Sequence, residues 1–159
     1  MAKKQVKTNV MRLLDSKKCI YETHCYLDTG AISGHDVAMV LNEDPRKVFK
    51  TLVTVGASKK NFVFVLPVDE ELDLKAAAKC VGEKKIELIK QKDLLGLTGY
   101  VHGGCSPVGM KKFFETFFDS TAANYDTIIF SGGKIGYQVE LSLEELKKVI
   151  SFKLEKITM

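Results

Sequence analysis

Residues 48–68 read VFKTLVTVGASKKNFVFVLPV, and no other stretch narrows the possible folds of this chain as much. KTLVTVG and NFVFVLPV are β-branched and aromatic, the composition of strands. ASKK between them reads as a hairpin loop. Further strand-like runs follow the same logic. Residues 20–27 are aromatic-rich, residues 84–90 read as a short strand, and KFFETFFD is short and aromatic. TIIFSGGKIGYQVEL reads as two strands around a Gly-rich turn, with Tyr137, Val139 and Leu141 on one face and Gln138 on the other. FKLEKI supplies a last strand.

Helices interrupt these runs without regular alternation. Val10, Leu13 and Leu14 recur at helical spacing, predicting an amphipathic helix over 8–17. Ser33 is an N-cap candidate for a helix carrying Val37, Val40 and Leu41, stopped by Asp44-Pro45. Asp73 caps LKAAAKCV, which ends at Gly82, and residues 93–97 suggest a helical turn. Ser142 and Glu145 have the spacing of a capping box for LSLEELKKVI. Strands in clusters with helices between them predict an α+β domain with a mixed or antiparallel sheet. At 159 residues the chain is expected to form a single domain, 1–159.

Composition excludes several function classes. No run of about 18 apolar residues exists, so no membrane-spanning helix is expected. The start, MAKKQVKTNVMRLL, lacks the apolar stretch of a signal peptide, so the expected location is cytoplasmic. Cys19, Cys25, Cys80 and Cys105 include no C-x-x-C pair, and His24, His35 and His102 have no metal-ligand spacing. Four free thiols, no metal and no cofactor are the expectation. The 24 basic and 20 acidic residues give a net charge of +4. The lysines come in pairs (3–4, 17–18, 59–60, 84–85, 111–112, 147–148), each explained by a solvated face, and together suited to weak contact with an RNA backbone.

Two glycine-rich stretches stand apart. TGYVHGGCSPVGMKK, residues 98–112, holds Gly99, Gly103, Gly104 and Gly109 around Ser106 and Pro107, and SGGKIG follows at 131–136. Backbone N–H groups in such turns bind anions or oxyanions. Neither stretch matches a P-loop; each alone is more often a tight turn than a site, and two in one small domain bring the readings level. Gly103→Ala separates turn from site only if φ at Gly103 is negative, so that the methyl costs little stability. Cys105 and His102 suggest a thiol nucleophile with a base, but no orienting third group accompanies them. Phe49-Lys50-Thr51 puts a lysine and a hydroxyl at the start of a strand, where side chains alternate in direction.

VFKTLVT, LPVDEELDLKAAAK, TGYVHGGCSPVGMKK and SGGKIGYQVEL, in this order and spacing, resemble the YbaK/EbsC branch of the prolyl-tRNA-synthetase-associated editing domains over nearly the whole chain. The resemblance implies a compact α+β domain around a curved, mixed, largely antiparallel and barrel-like sheet flanked by helices. It implies trans-editing hydrolysis of misacylated Cys-tRNA(Pro), and also Cys-tRNA(Cys), with aminoacylated tRNA as partner and prolyl-tRNA synthetase as a further one. It implies pocket roles for Lys50, Thr51 and Gly103 in catalysis, and for Tyr26, Gly104, Ser131, Gly132, Gly133, Lys134 and Gln138 in substrate binding. Two positions depart from the family pattern. Ser33 stands where an aromatic residue is common, and Gln138 where aspartate is common. In the family the proposed route is attack of the substrate's own thiol on its ester carbonyl, which needs no enzyme nucleophile. Alternatives are a deacylase of another misacylated tRNA such as Ala-tRNA(Pro), and a non-catalytic module that binds tRNA or the synthetase.

Overall fold

The computed structural model describes residues 6–159, so the Lys3-Lys4 pair lies outside the described residues. Helix α1 (Asn9–Ser16) starts at Thr8, whose hydroxyl accepts from the Met11 N–H, and it buries Val10, Met11 and Leu14. Strand β1 (Glu22–Cys25) is shorter than the expected 20–27. Helix α2 (Gly34–Val40) is capped by Ser33, and a 3₁₀ turn, Pro45–Lys47, leads into β2 (Phe49–Gly56). The hairpin partner is β3 (Asn61–Pro67). Helix α3 (Leu74–Val81), capped by Asp73, precedes β4 (Ile86–Leu88). Then follow α4 (Gln91–Thr98), β5 (Glu115–Asp119), β6 (Ile128–Ser131), β7 (Tyr137–Leu141), α5 (Leu143–Leu146) and β8 (Lys153–Glu155).

The strands form two sheets, ordered β1-β7-β6 and β4-β2-β3-β5-β8. β3–β5 and β5–β8 pair in parallel, and the other ladders are antiparallel. A single parallel bridge, Val48–Ile129, links the sheets. The one barrel-like sheet expected from the resemblance is therefore two open sheets, because β2 and β6 share one bridge and then part.

Strand alternation divides the core. On β3, Val63 and Val65 face the larger cluster, with Phe118, Phe130, Val139 and the α1 residues. Phe62, Phe64 and Leu66 face Ala77 and Ala78 of α3, with Phe117 and Ile157. The chain end is tied in. The Ile157 N–H donates to Asp119 Oδ1 at 3.1 Å, its carbonyl accepts from Asp73 N–H at 2.7 Å, and Met159 N–H donates to the Glu71 carbonyl at 3.0 Å.

Three expectations change on folding. α4 fills eight residues, where only a turn was read over 93–97, because burial of Leu94 and Thr98 outweighs the helix-weakening Gly96. KFFETFFD contributes only its second half to β5, and Phe113 is 71% exposed. The capping box at Ser142 is half made. Ser142 accepts from Glu145 N–H, but the Glu145 carboxylate turns instead to the Ile20 N–H and Lys148, and the helix stops after Leu146. All four cysteines are free. The described lysine pairs are exposed, and no helix among the described residues is long and apolar enough to cross a membrane.

Candidate active site

β2 is paired with β3 along one whole edge. Its other edge touches β6 at Val48 and meets the β4 side only from Val53 onward, where Ile89 N–H donates to the Val53 carbonyl. Between these points the sheet is open, and the opening is where Lys50 and Thr51 sit. Their side chains take opposite faces. Lys50 lies opposite Leu66, on the α3 side, and Thr51 opposite Val65, on the side of the larger core. They meet only at the strand edge that borders the opening.

Among the described residues both side chains lack protein partners. Lys50 belongs to none of the ion pairs among the described residues. Thr51 Oγ1 is buried and makes no hydrogen bond. A buried hydroxyl without a partner is unusual and costly.

The far side of the opening is built by β6 and β7. β6 approaches β2 at the single Val48–Ile129 bridge, two residues before Lys50 on one strand and Ser131 on the other. Ser131 is opposite Gln138 on β7, which is opposite His24 on β1. Ser131, Gln138 and His24 thus form a polar row across one face of the three-stranded sheet. Ser131 Oγ accepts from Gly133 N–H at 3.1 Å, and Gly132 N–H donates to the Tyr137 carbonyl, which closes the SGGKIG turn. Lys134 is exposed at the tip of that turn. Tyr26 is buried, its N–H bonded to the Gly136 carbonyl at 2.8 Å.

The two glycine-rich stretches, 98–112 and 131–136, come together. A Cβ on Gly104 would meet Ile135 N at 3.2 Å and Lys134 Cα at 3.5 Å, so the missing side chain lets the two loops close on each other. Gly104 is buried and its N–H is taken by the Val101 carbonyl. It therefore offers neither room nor a donor directly, and acts through the position it gives Gly103. Gly103 is exposed, and its N–H makes no hydrogen bond among the described residues. Its φ is +87°, not negative. Alanine there is strained whatever the ligand does, and the clean substitution test expected from the sequence is lost.

Cys105 and His102 do not form a dyad. His102 is exposed, whereas Cys105 is 9% exposed and packed in the larger core. Burial pushes its thiol up to about 12, the reverse of an activated nucleophile.

A network that no local sequence signal revealed lies behind Gln138. His24 Nε2 is 2.8 Å from Glu140 Oε1, Lys47 Nζ donates to Glu140 Oε2 at 3.0 Å, and Thr127 also donates to that carboxylate. Burial raises the pKa of Glu140, but the hydrogen bonds from Thr127, His24 and Lys47 and the charge of Lys47 outweigh it and bring it to about 2. Glu22, His24 and Glu140 bring their ligand atoms within 4.8 Å of one another, an arrangement invisible in the histidine spacing, and Lys47 already supplies the positive charge there. Gln138 is 5% exposed, and its carboxamide meets complementary groups only with the nitrogen toward Glu43, 2.7 Å from Oε2 and 3.2 Å from Oε1.

Comparison with known proteins adds an independent line. Residues 31–149 match the family model described as "Aminoacyl-tRNA editing domain". The chain is 43% identical over 161 aligned positions, covering 99% of it and 98% of the relative, to EbsC of Enterococcus faecalis, which is named as a candidate Cys-tRNA(Pro)/Cys-tRNA(Cys) deacylase. Two crystal structures share the fold at low identity. The hypothetical protein APE2540 is 18% identical, with a TM-score of 0.84 over 94% of this chain and 99% of that one. A candidate trans-editing enzyme for prolyl tRNA synthetase is 19% identical, with a TM-score of 0.82 over 97% and 99%.

Proposed function

The chain belongs to the family of aminoacyl-tRNA editing domains, and from that premise we propose that it deacylates Cys-tRNA(Pro) and Cys-tRNA(Cys) in trans. One observation carries the reading at the level of the site. Among the described residues Lys50 has no counter-ion, the buried Thr51 hydroxyl has no partner and the Gly103 N–H is unbonded, while the Cys105 thiol is not activated, and these groups suit such a site.

Such a site suits a substrate that brings its own nucleophile. The thiol of the cysteinyl group attacks its own carbonyl carbon, the ester C–O bond breaks, and the thiol proton ends on the departing ribose oxygen. A thiolactone and free tRNA result. The protein then has to hold a near-attack geometry and stabilise the oxyanion. Gly103 N–H is the donor for the oxyanion, Thr51 directs its hydroxyl to the ester, and Lys50 holds the 3′ ribose–phosphate by charge. Tyr26, Ser131, Gly132, Gly133, Lys134 and Gln138 line the opposite wall. Serine, with a far less acidic hydroxyl, cyclises poorly, so selection for cysteine rests on sulfur chemistry as well as on shape. The cytoplasm, where the tRNA and prolyl-tRNA synthetase are, is the compartment this work requires.

The test is a deacylation panel of Cys-, Ala-, Ser- and Pro-tRNA(Pro) with the wild type and Cys105→Ser. Turnover of the cysteinyl substrate by both, with a thiolactone product, supports the reading. Turnover of alanyl-tRNA instead would transfer the activity to a water-dependent deacylase. A shift of tRNA mobility without hydrolysis would leave only a binding module.

A further inference from the structure

Helix α3 separates its alanines from its lysines. Ala77 and Ala78 are buried with Phe62, Phe64 and Leu66 of β3. Lys75 and Lys79 are exposed and four residues apart, so they stand one above the other on the solvent side. Gly82, left-handed at φ +73°, turns the chain back, and the Glu83 N–H donates to the Ala78 carbonyl at 2.9 Å. That turn brings Lys84 to the flank of the helix. Lys75, Lys79 and Lys84 line one open concavity of about 480 Å³, together with Asp73, Glu83 and two alanines.

The two carboxylates there do not answer the three ammonium groups. Asp73 Oδ1 is spent on the helix cap, where it accepts from the N–H groups of Lys75 and Ala76 at 3.1 Å. Glu83 accepts from the Ser58 N–H at 3.0 Å and from the Ser58 hydroxyl at 2.6 Å. None of the three lysines forms an ion pair among the described residues. By contrast, Lys147, Lys148 and Lys153 are paired with Glu144, Glu145 and Glu115. Lys50, also unpaired, lies opposite Leu66 and so projects on the side of the five-stranded sheet that α3 covers.

Lysine offers phosphate a point charge without a fixed geometry. Among the described residues no aromatic side chain lines the concavity for a base to stack on. Such a surface grips a phosphodiester backbone and reads no base sequence. An enzyme with two tRNA substrates needs a contact of that kind. We propose that the lysine face of α3 docks the phosphodiester backbone of the tRNA acceptor stem, on the same side of the sheet as Lys50. The proposal rests on the deacylase reading in taking tRNA as the ligand, and it adds the surface that receives the body of the substrate.

The experiment compares Lys75→Gln/Lys79→Gln/Lys84→Gln with Lys147→Gln/Lys148→Gln/Lys153→Gln, which removes the same charge from lysines already paired. Fluorescence anisotropy measures binding of uncharged tRNA(Pro) and tRNA(Cys) between about 50 and 200 mM salt. The α3 variant is expected to bind both tRNAs about tenfold more weakly at the low-salt end, with a salt slope shallower by roughly two to three. The paired-lysine variant should stay near wild type. Equal losses in the two variants would mean attraction by net charge alone and would overturn the proposal. So would wild-type affinity and slope in the α3 variant, or a loss confined to one tRNA. Deacylation gives a second readout, kcat/KM for Cys-tRNA(Pro) divided by that for 3′-cysteinyl-adenosine, which lacks the stem. In the α3 variant this ratio is expected to fall about tenfold, through KM, and the triple Lys→Arg variant at the same positions should restore it. An unchanged ratio, as a general loss of fold would give, would overturn the proposal. If the wild type binds tRNA and hydrolyses neither ester, the deacylase reading falls, and the binding measurements still decide the docking surface.

Discussion

Thr51→Val asks whether the unpartnered hydroxyl belongs to the fold or to the substrate. Valine keeps the β-branched shape that β2 favours and removes only the oxygen. Thr51 Oγ1 is buried and makes no hydrogen bond, so the free protein loses no interaction with it. A buried hydroxyl left unsatisfied costs about 1–3 kcal/mol. Thr51 as a residue is only half-buried, so the lower end applies, and the substitution should stabilise the fold by about 1 kcal/mol. In a domain of this size that raises Tm by about 2–4 °C. The substrate complex should respond in the opposite sense. Losing one hydrogen bond to the ester lowers kcat/KM by about tenfold. Thermal melts followed by circular dichroism, together with single-turnover deacylation of cysteinyl-tRNA, measure both, and Thr51→Ser serves as the control that keeps the hydroxyl. A fall in Tm for the valine variant would mean the hydroxyl has a partner in the free protein. A higher Tm with undiminished deacylation would remove Thr51 from the site.

Lys50→Ala should leave stability within about 0.5 kcal/mol of wild type, since no ion pair among the described residues is lost, while abolishing most deacylation; wild-type turnover would refute its role. Gly103→Ala should cost about 1–2 kcal/mol from its left-handed backbone alone and about a hundredfold in rate through the displaced amide, with Gly103→Asn recovering stability better than rate; unaltered rate in both variants would return the loop to a simple turn. Glu140, with a folded pKa of about 2 against an ordinary 4.5, contributes stability that is full above pH 4.5 and is lost as pH falls toward 2. Glu140→Gln should therefore cost about 3 kcal/mol in urea unfolding at pH 7 and much less at pH 2, and an equal cost at both would contradict the assignment.

The parts of the fold that could be read from the sequence are those set by neighbours along the chain. The hairpin of β2 and β3 follows from two β-branched runs, and the caps at Ser33, Asp73 and Ser142 each accept a backbone N–H as their residue types suggest. Alternation along VFKT already implied that Lys50 and Thr51 diverge. The parallel pairing of β3, β5 and β8 left no local trace, because each partner is separated by a long crossover. The same holds for the site. Both glycine stretches were visible, but their closure at Gly104 depends on a contact between distant loops. Glu43 gave no signal at all, since a glutamate in a turn is ordinarily solvated and only the burial of Gln138 beneath it gives it meaning. Cys105 looked reactive because its spacing to His102 was legible and its burial was not.

The tied-in residues at 153–159 have a consequence for biosynthesis. Chains emerge from the ribosome N-terminus first, so β5 is made well before β8 covers its edge. Until Ile157 appears, Asp119 lacks the N–H that it binds in the finished sheet, and the β5 edge presents unpaired backbone groups. Exposed edges of this kind are templates for pairing with other chains. A nascent chain stalled before residue 153 should therefore engage holdase chaperones or aggregate. Synthesis of residues 153–157 is therefore what closes the β5 edge of the five-stranded sheet.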